Sequence, residues 1–115
     1  MDEISALQAD ILKTLSNPHR VEIIERLAHD GPCEVTRLAD LIGISQPNLS
    51  QHLAVLRSAG LVEAARSGRG VQYHLTDPEL AEACRMMRRI LARRLARLGA
   101  LSSRADEQLD TPISL

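Results

Sequence analysis

Four side chains able both to donate and to accept hydrogen bonds, Gln46, Asn48, Ser50 and Gln51, stand close together in the chain, with Arg57 a little further on. Side-chain amides and hydroxyls match the donor and acceptor pattern that base pairs present in a DNA groove, and an arginine adds attraction for phosphate. The plainer account of the same residues is a solvated helix face, so their meaning depends on what holds them. The other chemically distinctive groups are two thiols, Cys33 and Cys84. They lack the Cys-x-x-Cys spacing of a structural zinc site and do not amount to a disulfide framework. Three roles fit them. They are small buried hydrophobes, or a dithiol that responds to oxidants or reactive sulfur, or soft-metal or arsenite ligands that borrow a histidine such as His19, His29 or His74. No histidine, carboxylate and nucleophile stand at a catalytic spacing, and there is no glycine-rich phosphate loop. The chain therefore reads as a binding protein and not an enzyme.

The polar group lies in the stretch 44–60, ISQPNLSQHLAVLRSAG, whose pattern predicts a capped helix. Ser45 is the expected N-cap, and Pro47 is tolerated in the first turn, where its missing N–H would be unpaired anyway. Gly60 supplies a left-handed stop. Leu49, Leu53 and Leu56 fall on one face, which leaves Ser45, Gln46, Asn48, Ser50, Gln51, His52 and Arg57 as the DNA-facing set. His52 borders the leucine face, where a structural hydrogen bond is the stronger account of it. Thr36 is expected to cap a preceding short helix, RLADLI, that ends at Gly43. Leu38, Ala39 and Ile42 would then pack against the three leucines and form a helix-turn-helix. Downstream, LVEAAR and VQYHL flank Ser67-Gly68-Arg69-Gly70, a turn-favouring run that predicts a β-hairpin wing. Arg66 and Arg69 near its tip would meet phosphates or a minor groove, and Tyr73 would anchor the wing.

Other elements must position this unit. Ile4, Leu7, Ile11, Leu12 and Leu15 recur at helical spacing behind Asp2, a cap. Asn17 and Pro18 open a second helix that runs to a stop at Asp30-Gly31-Pro32, and Cys33-Glu34-Val35 reads as a brief extended piece. Asp77 and Pro78 open a long last helix. In it Leu80, Cys84, Met87, Leu91, Leu95 and Leu98 form a stripe, with Arg85, Arg88, Arg89, Arg93 and Arg97 on other faces. One small domain offers no internal partner for so long a stripe. The expectation is a homodimer through Ile4, Leu7 and Ile11 of the first helix and Leu80, Met87, Leu91, Leu95 and Leu98 of the last. The fold class is then mainly α with a small β-hairpin, a winged helix-turn-helix of order α-α-α-α-β-β-α. Residues 1–99 form the DNA-binding and dimerisation domain, and 100–115, where periodicity lapses, a flexible C-terminal tail.

Composition bounds these readings. A length of 115 residues suits one domain, and 44% hydrophobic residues suffice for a core. Aromatics make up 1%, Tyr73 alone, so stacking on aromatic platforms, as in many single-strand and RNA binders, is excluded. The net charge is −1, yet seven of the 14 cationic residues are arginines between positions 85 and 104. No run approaches the roughly 18 apolar residues of a membrane span, and the N-terminus is acidic, so a cytoplasmic protein without a membrane partner is expected.

The run LKTLSNPHRVEIIERL, followed by VTRLADLIGISQPNLSQHLAVLRSAGLVEAARSGRGVQYHLTDPEL, resembles the ArsR/SmtB family of bacterial and archaeal transcriptional repressors. The marks are Leu-Ser-Asn-Pro-x-Arg at the second helix, Ser50-x-His52-Leu53, Leu56-Arg57 before Gly60-Leu61-Val62, and Gly70 through Tyr73 in the wing. The resemblance implies a homodimer that binds a near-palindromic operator and releases it when an inducer binds. It also locates sensors in the family. Where a Cys-x-Cys cluster would stand, this chain has Cys33 alone. Where the last-helix zinc site would stand, it has Asp77 followed by Glu79, then Ile90 and Arg93, and arginine does not ligate zinc. The recognition helix holds no cysteine. Cys33 and Cys84 match the persulfide-sensing pair only approximately. The expected function is a DNA-binding repressor with thiol-based sensing at Cys33 and Cys84, the alternative a soft-metal or arsenite response. A reading from another class is a winged-helix module that binds protein without reading DNA.

Overall fold

Side-chain caps set most of the helix starts. A computed structural model describes residues 2–68 and 70–99, so the expected tail at 100–115 and the candidate Arg69 lie outside the described residues. Helix α1 (Glu3–Thr14) begins where Asp2 Oδ1 accepts the Ser5 N–H at 2.6 Å, and α2 (Pro18–Asp30) where Asn17 Oδ1 accepts the His19 and Arg20 N–H groups at 2.9 and 3.3 Å. Strand β1 (Cys33–Glu34) runs straight into α3 (Val35–Ile42), and α4 (Gln46–Ser58) follows with Ser45 Oγ accepting the Asn48 N–H at 3.2 Å. Strands β2 (Val62–Ser67) and β3 (Gly70–Leu75) lead to α5 (Glu79–Arg97), where Asp77 Oδ1 accepts the Glu79 N–H at 3.0 Å.

Two expectations are corrected. Thr36 is not a cap: α3 opens at Val35, with Glu34 in the cap position and no side-chain cap bond. Pairing fixes the backbone of Cys33 and Glu34 already, so the helix entry is set by the strand. The hairpin is also wider than expected. The sheet is antiparallel with order β1-β3-β2, and Cys33 stands opposite Tyr73 while β2 and β3 pair from Val62↔Leu75 to Ser67↔Gly70. The extended piece at 33–34 pairs with the outer edge of β3, which satisfies backbone groups that an edge strand would leave open.

The core forms where α2, α3 and α4 meet. Leu38, Ala39 and Ile42 of α3 are buried together with Leu49, Leu53 and Leu56 of α4, over Ile23, Ile24 and Leu27 of α2. Gly43 makes the turn between the two helices at φ 84°, and its N–H and that of Ile44 both return to the Ala39 carbonyl, at 2.8 and 3.2 Å. Only a residue without a β-carbon takes that conformation readily. The two outer helices bury far less. None of α1 is buried, and Ala81 is the one fully buried residue of α5. No described helix is long and apolar enough to cross a membrane.

Candidate nucleic-acid interface

The apolar side of α4 is locked down. Leu49, Leu53 and Leu56 have 0% exposure, so the helix cannot rotate without breaking the core. That constraint fixes where its other side chains project. Ser45, Gln46, Asn48, Ser50, Gln51 and Arg57 are all exposed. Gln46, Ser50 and Arg57 follow one another at steps of four and seven residues and so form one row along the helix, with Gln51 and Asn48 lying off it. In the first turn the Asn48 N–H goes to Ser45 Oγ, the Leu49 N–H to the Ser45 carbonyl and Pro47 has none, which leaves that of Gln46 at the helix N-terminus, a favourable place for phosphate.

The wing leaves the same body. Its base is closed by the Thr76 N–H donating to the Leu61 carbonyl at 3.1 Å, and by Tyr73, which packs against the core from the centre of the sheet. Along the hairpin the imidazole of His74 stands 3.3 Å from the Glu63 carboxylate on the neighbouring strand. Arg66, opposite Val71 near the tip, is exposed.

His52 has a different setting from the rest of the set. It is half-buried, and its Nδ1 accepts a hydrogen bond from Arg20 Nε at 3.4 Å. The same guanidinium donates to the Thr14 carbonyl at 2.7 Å, and the His19 ring lies 5.6 Å from that of His52. Burial holds the His52 imidazole below its ordinary 6.5, and the neighbouring charges of Arg20 and His19 push it the same way.

The two thiols occupy separate environments. Cys33 is 3% exposed within the core, and its Sγ donates to the Glu34 carbonyl at 3.5 Å. Burial pushes that thiol up, with Arg37 opposing and Asp30 and Glu34 reinforcing the shift. Cys84 is half-buried on α5 and also pushed up, first by burial and then by the buried carboxylate of Glu25 on α2. It lines a groove of about 460 Å³ between α1 and α5, together with Ile11, Leu12, Leu80, Met87 and Leu91. Both thiols are free. Among the described residues no three His, Cys, Asp or Glu side chains gather as a metal site would require.

A helix-turn-helix domain family matches residues 15–64. The HTH-type transcriptional regulator Rv0081 of Mycobacterium tuberculosis is 39% identical over 90 residues, covering 78% of this chain and 79% of that protein. Its crystal structure superposes with a TM-score of 0.74 at 37% identity, over 87% of this chain and 100% of the other. The HTH-type transcriptional repressor SmtB of M. tuberculosis is 40% identical over 69% of this chain and 58% of its own length. This chain belongs to the ArsR/SmtB family of winged helix-turn-helix transcriptional repressors. The homodimeric winged helix-turn-helix DNA-binding domain Mb0332 of Mycobacterium bovis, described as a possible ArsR-family transcriptional regulator, is 28% identical with a TM-score of 0.70, over 84% of this chain and 92% of that one.

Within this ArsR/SmtB chain, the residues that sequence reasoning passed over are Arg20 and the buried acids of α2. Arg20 closes the Leu-Ser-Asn-Pro-x-Arg run, so the motif is visible in the sequence but its partner His52, 32 residues away, is not. Glu22 and Glu25 are each 1% exposed, and nothing in the local pattern of α2 sets them apart from surface carboxylates. Arg85 and Arg88, expected on faces other than the apolar stripe, are half-buried, and Arg88 lines the α1–α5 groove.

Proposed function

We propose that this repressor binds duplex DNA as a homodimer, with α4 as the recognition helix and the wing as a second point of contact. The observation that carries the reading is the split of α4 into a wholly buried leucine face and an exposed row of hydrogen-bonding side chains. Gln46, Asn48, Ser50 and Gln51 are the base-reading candidates, each good contact contributing about 1–3 kcal/mol of discrimination. Ser45, Arg57, Arg66 and Arg69 supply phosphate affinity, and His52 acts from behind the helix. Ile4, Leu7, Met87, Leu91, Leu95 and Leu98 are exposed, from 46% at Leu95 to 76% at Ile4. This apolar row on α1 and α5 fits a two-fold contact, with Ile11 and Leu80 continuing it inward. A two-fold pair would set recognition helices about 34 Å apart, one turn of DNA, and a near-palindromic operator follows from that symmetry. A cytoplasmic setting goes with this role.

Release is assigned to the thiols, with Cys84 as the more reachable of the two, because it lines the α1–α5 groove whose other lining residues form the proposed dimer contact, whereas Cys33 lies in the core. The test is fluorescence anisotropy with duplex DNA from upstream of the chain's own coding sequence. Salt is varied first, then Zn(II), Cd(II), arsenite and a persulfide donor are added to the parent, Cys33→Ser and Cys84→Ser. Binding whose logarithm falls linearly with log salt, and is lowered in Arg66→Ala, supports the DNA reading. No binding at low salt favours a protein-interaction module instead. Release that is the same in all three proteins removes the thiol assignment.

A further inference from the structure

We infer that Arg20 and His52 form a strut joining the end of α1 to the back of the recognition helix, and that proton uptake by His52 breaks it and weakens operator binding. The consequence for DNA rests on the reading of α4 proposed above; the strut itself does not. Its origin lies in a proline. In a continuing helix the Thr14 carbonyl would accept from the residue four positions on, and that residue is Pro18, which has no N–H. Arg20 NH1 takes the place of the missing donor at 2.7 Å. Asn17 Oδ1 accepts the backbone N–H of Arg20, so the first turn of α2 holds the base of the arginine. A second N–H of the planar guanidinium, at Nε, donates to His52 Nδ1 at 3.4 Å. One side chain thus ties together α1, α2 and α4.

The bond to His52 exists in one protonation state. A guanidinium only donates, so Nδ1 must carry a lone pair and the proton of the neutral ring must sit on Nε2. Adding a proton to Nδ1 turns the contact into one donor facing another and places a second cation beside Arg20. The charged groups that act on His52 are Arg20 and His19, both from α2 and both cationic when charged, so neither relieves the imidazolium. The pH sense follows: the strut is intact above the ordinary imidazole value of 6.5 and is lost as pH falls through the lowered value of the folded protein. His52 lies on the other side of the leucine face from the row of Gln46, Ser50 and Arg57, so its charge is placed away from that row and acts through the position of α4.

The experiment compares the full-length parent with His52→Asn, whose amide oxygen can accept from Arg20 but takes no proton. Affinity for the upstream duplex is read by anisotropy at about pH 8 and about pH 5.5 at constant ionic strength. The parent should bind more weakly at the lower pH, by less than the roughly tenfold that an unshifted imidazole would give there, and the drop should be absent in His52→Asn. An unchanged or strengthened parent, or an equal drop in the variant, overturns the inference. The ¹⁵N shifts of the His52 ring in the DNA-free parent give a separate reading. Expected at the higher pH is the Nε2–H tautomer with an unprotonated Nδ1, and an Nδ1–H tautomer refutes the strut. A parent that binds no duplex at either pH defeats the proposed function, while the tautomer still decides the strut.

Discussion

Cys33 stands opposite Tyr73 across the β1–β3 ladder, so the thiol nearest the helix-turn-helix also seats the wing on the core. A residue in that position has a structural duty whatever its chemistry. Native thiol titration with a disulfide reagent should therefore show one accessible group, Cys84, and one that reacts only on unfolding, Cys33. Cys33→Ser should cost about 1–3 kcal/mol, measured by urea unfolding, because a hydroxyl is set in an apolar core. Fast modification of Cys33 in the folded protein would contradict this burial and restore it as a sensor.

The two sides of α4 should respond to mutation in opposite ways. Leu53→Ala removes a fully buried side chain and should lower stability by about 2–5 kcal/mol. Ser45→Ala removes the cap and should cost about 1 kcal/mol. Gln46→Ala and Gln51→Ala, both exposed, should leave the unfolding midpoint unchanged while weakening operator binding by about 1–3 kcal/mol each. Unchanged binding in both glutamine variants would mark these side chains as an ordinary solvated face.

Dimerisation through the outer helices predicts a clean separation of assembly from folding. Leu91, 49% exposed in the single chain, supplies little intrachain packing, so Leu91→Glu should leave the helical circular dichroism intact. Sedimentation should then report a monomer, because a buried unpaired carboxylate facing its symmetry mate is strongly unfavourable. Unchanged dimer mass in this variant would move the contact elsewhere.

Local signals were enough for most of the architecture. Asp2, Asn17 and Ser45 cap as their residue types suggest, Gly43 and Gly60 take the positive φ their positions need, and the leucines of α4 are buried at the spacing that marks them. The failures are all non-local. Thr36 looked like a cap until the pairing of Cys33–Glu34 with β3 fixed the start of α3 from outside. Arg85 and Arg88, on faces other than the apolar stripe, are half-buried because α5 lies against the body, and the charge that acts on Cys84 comes from Glu25 of α2. Arg20 was in plain view within its motif, but its bond to His52 spans two helices.

Glu22 gives the last prediction, because it is a carboxylate 1% exposed at the centre of α2. Burial pushes its carboxyl above the usual 4.5, and the nearby charges of Arg26 and His19 only partly pull it back. The folded state therefore holds this proton more tightly than the unfolded chain does. Its favourable contribution is complete below about 4.5 and is lost as pH rises through the higher folded value, so at neutral pH burial of this carboxyl costs stability. Glu22→Gln keeps the shape and removes the ionisation. Its urea midpoint should exceed that of the parent near neutral pH, and the difference should vanish on acidification below the unfolded value. A variant less stable than the parent at neutral pH would mean that Arg26 and His19 compensate the charge in full, and that the acid is an anchor of α2 and not a strained group within it.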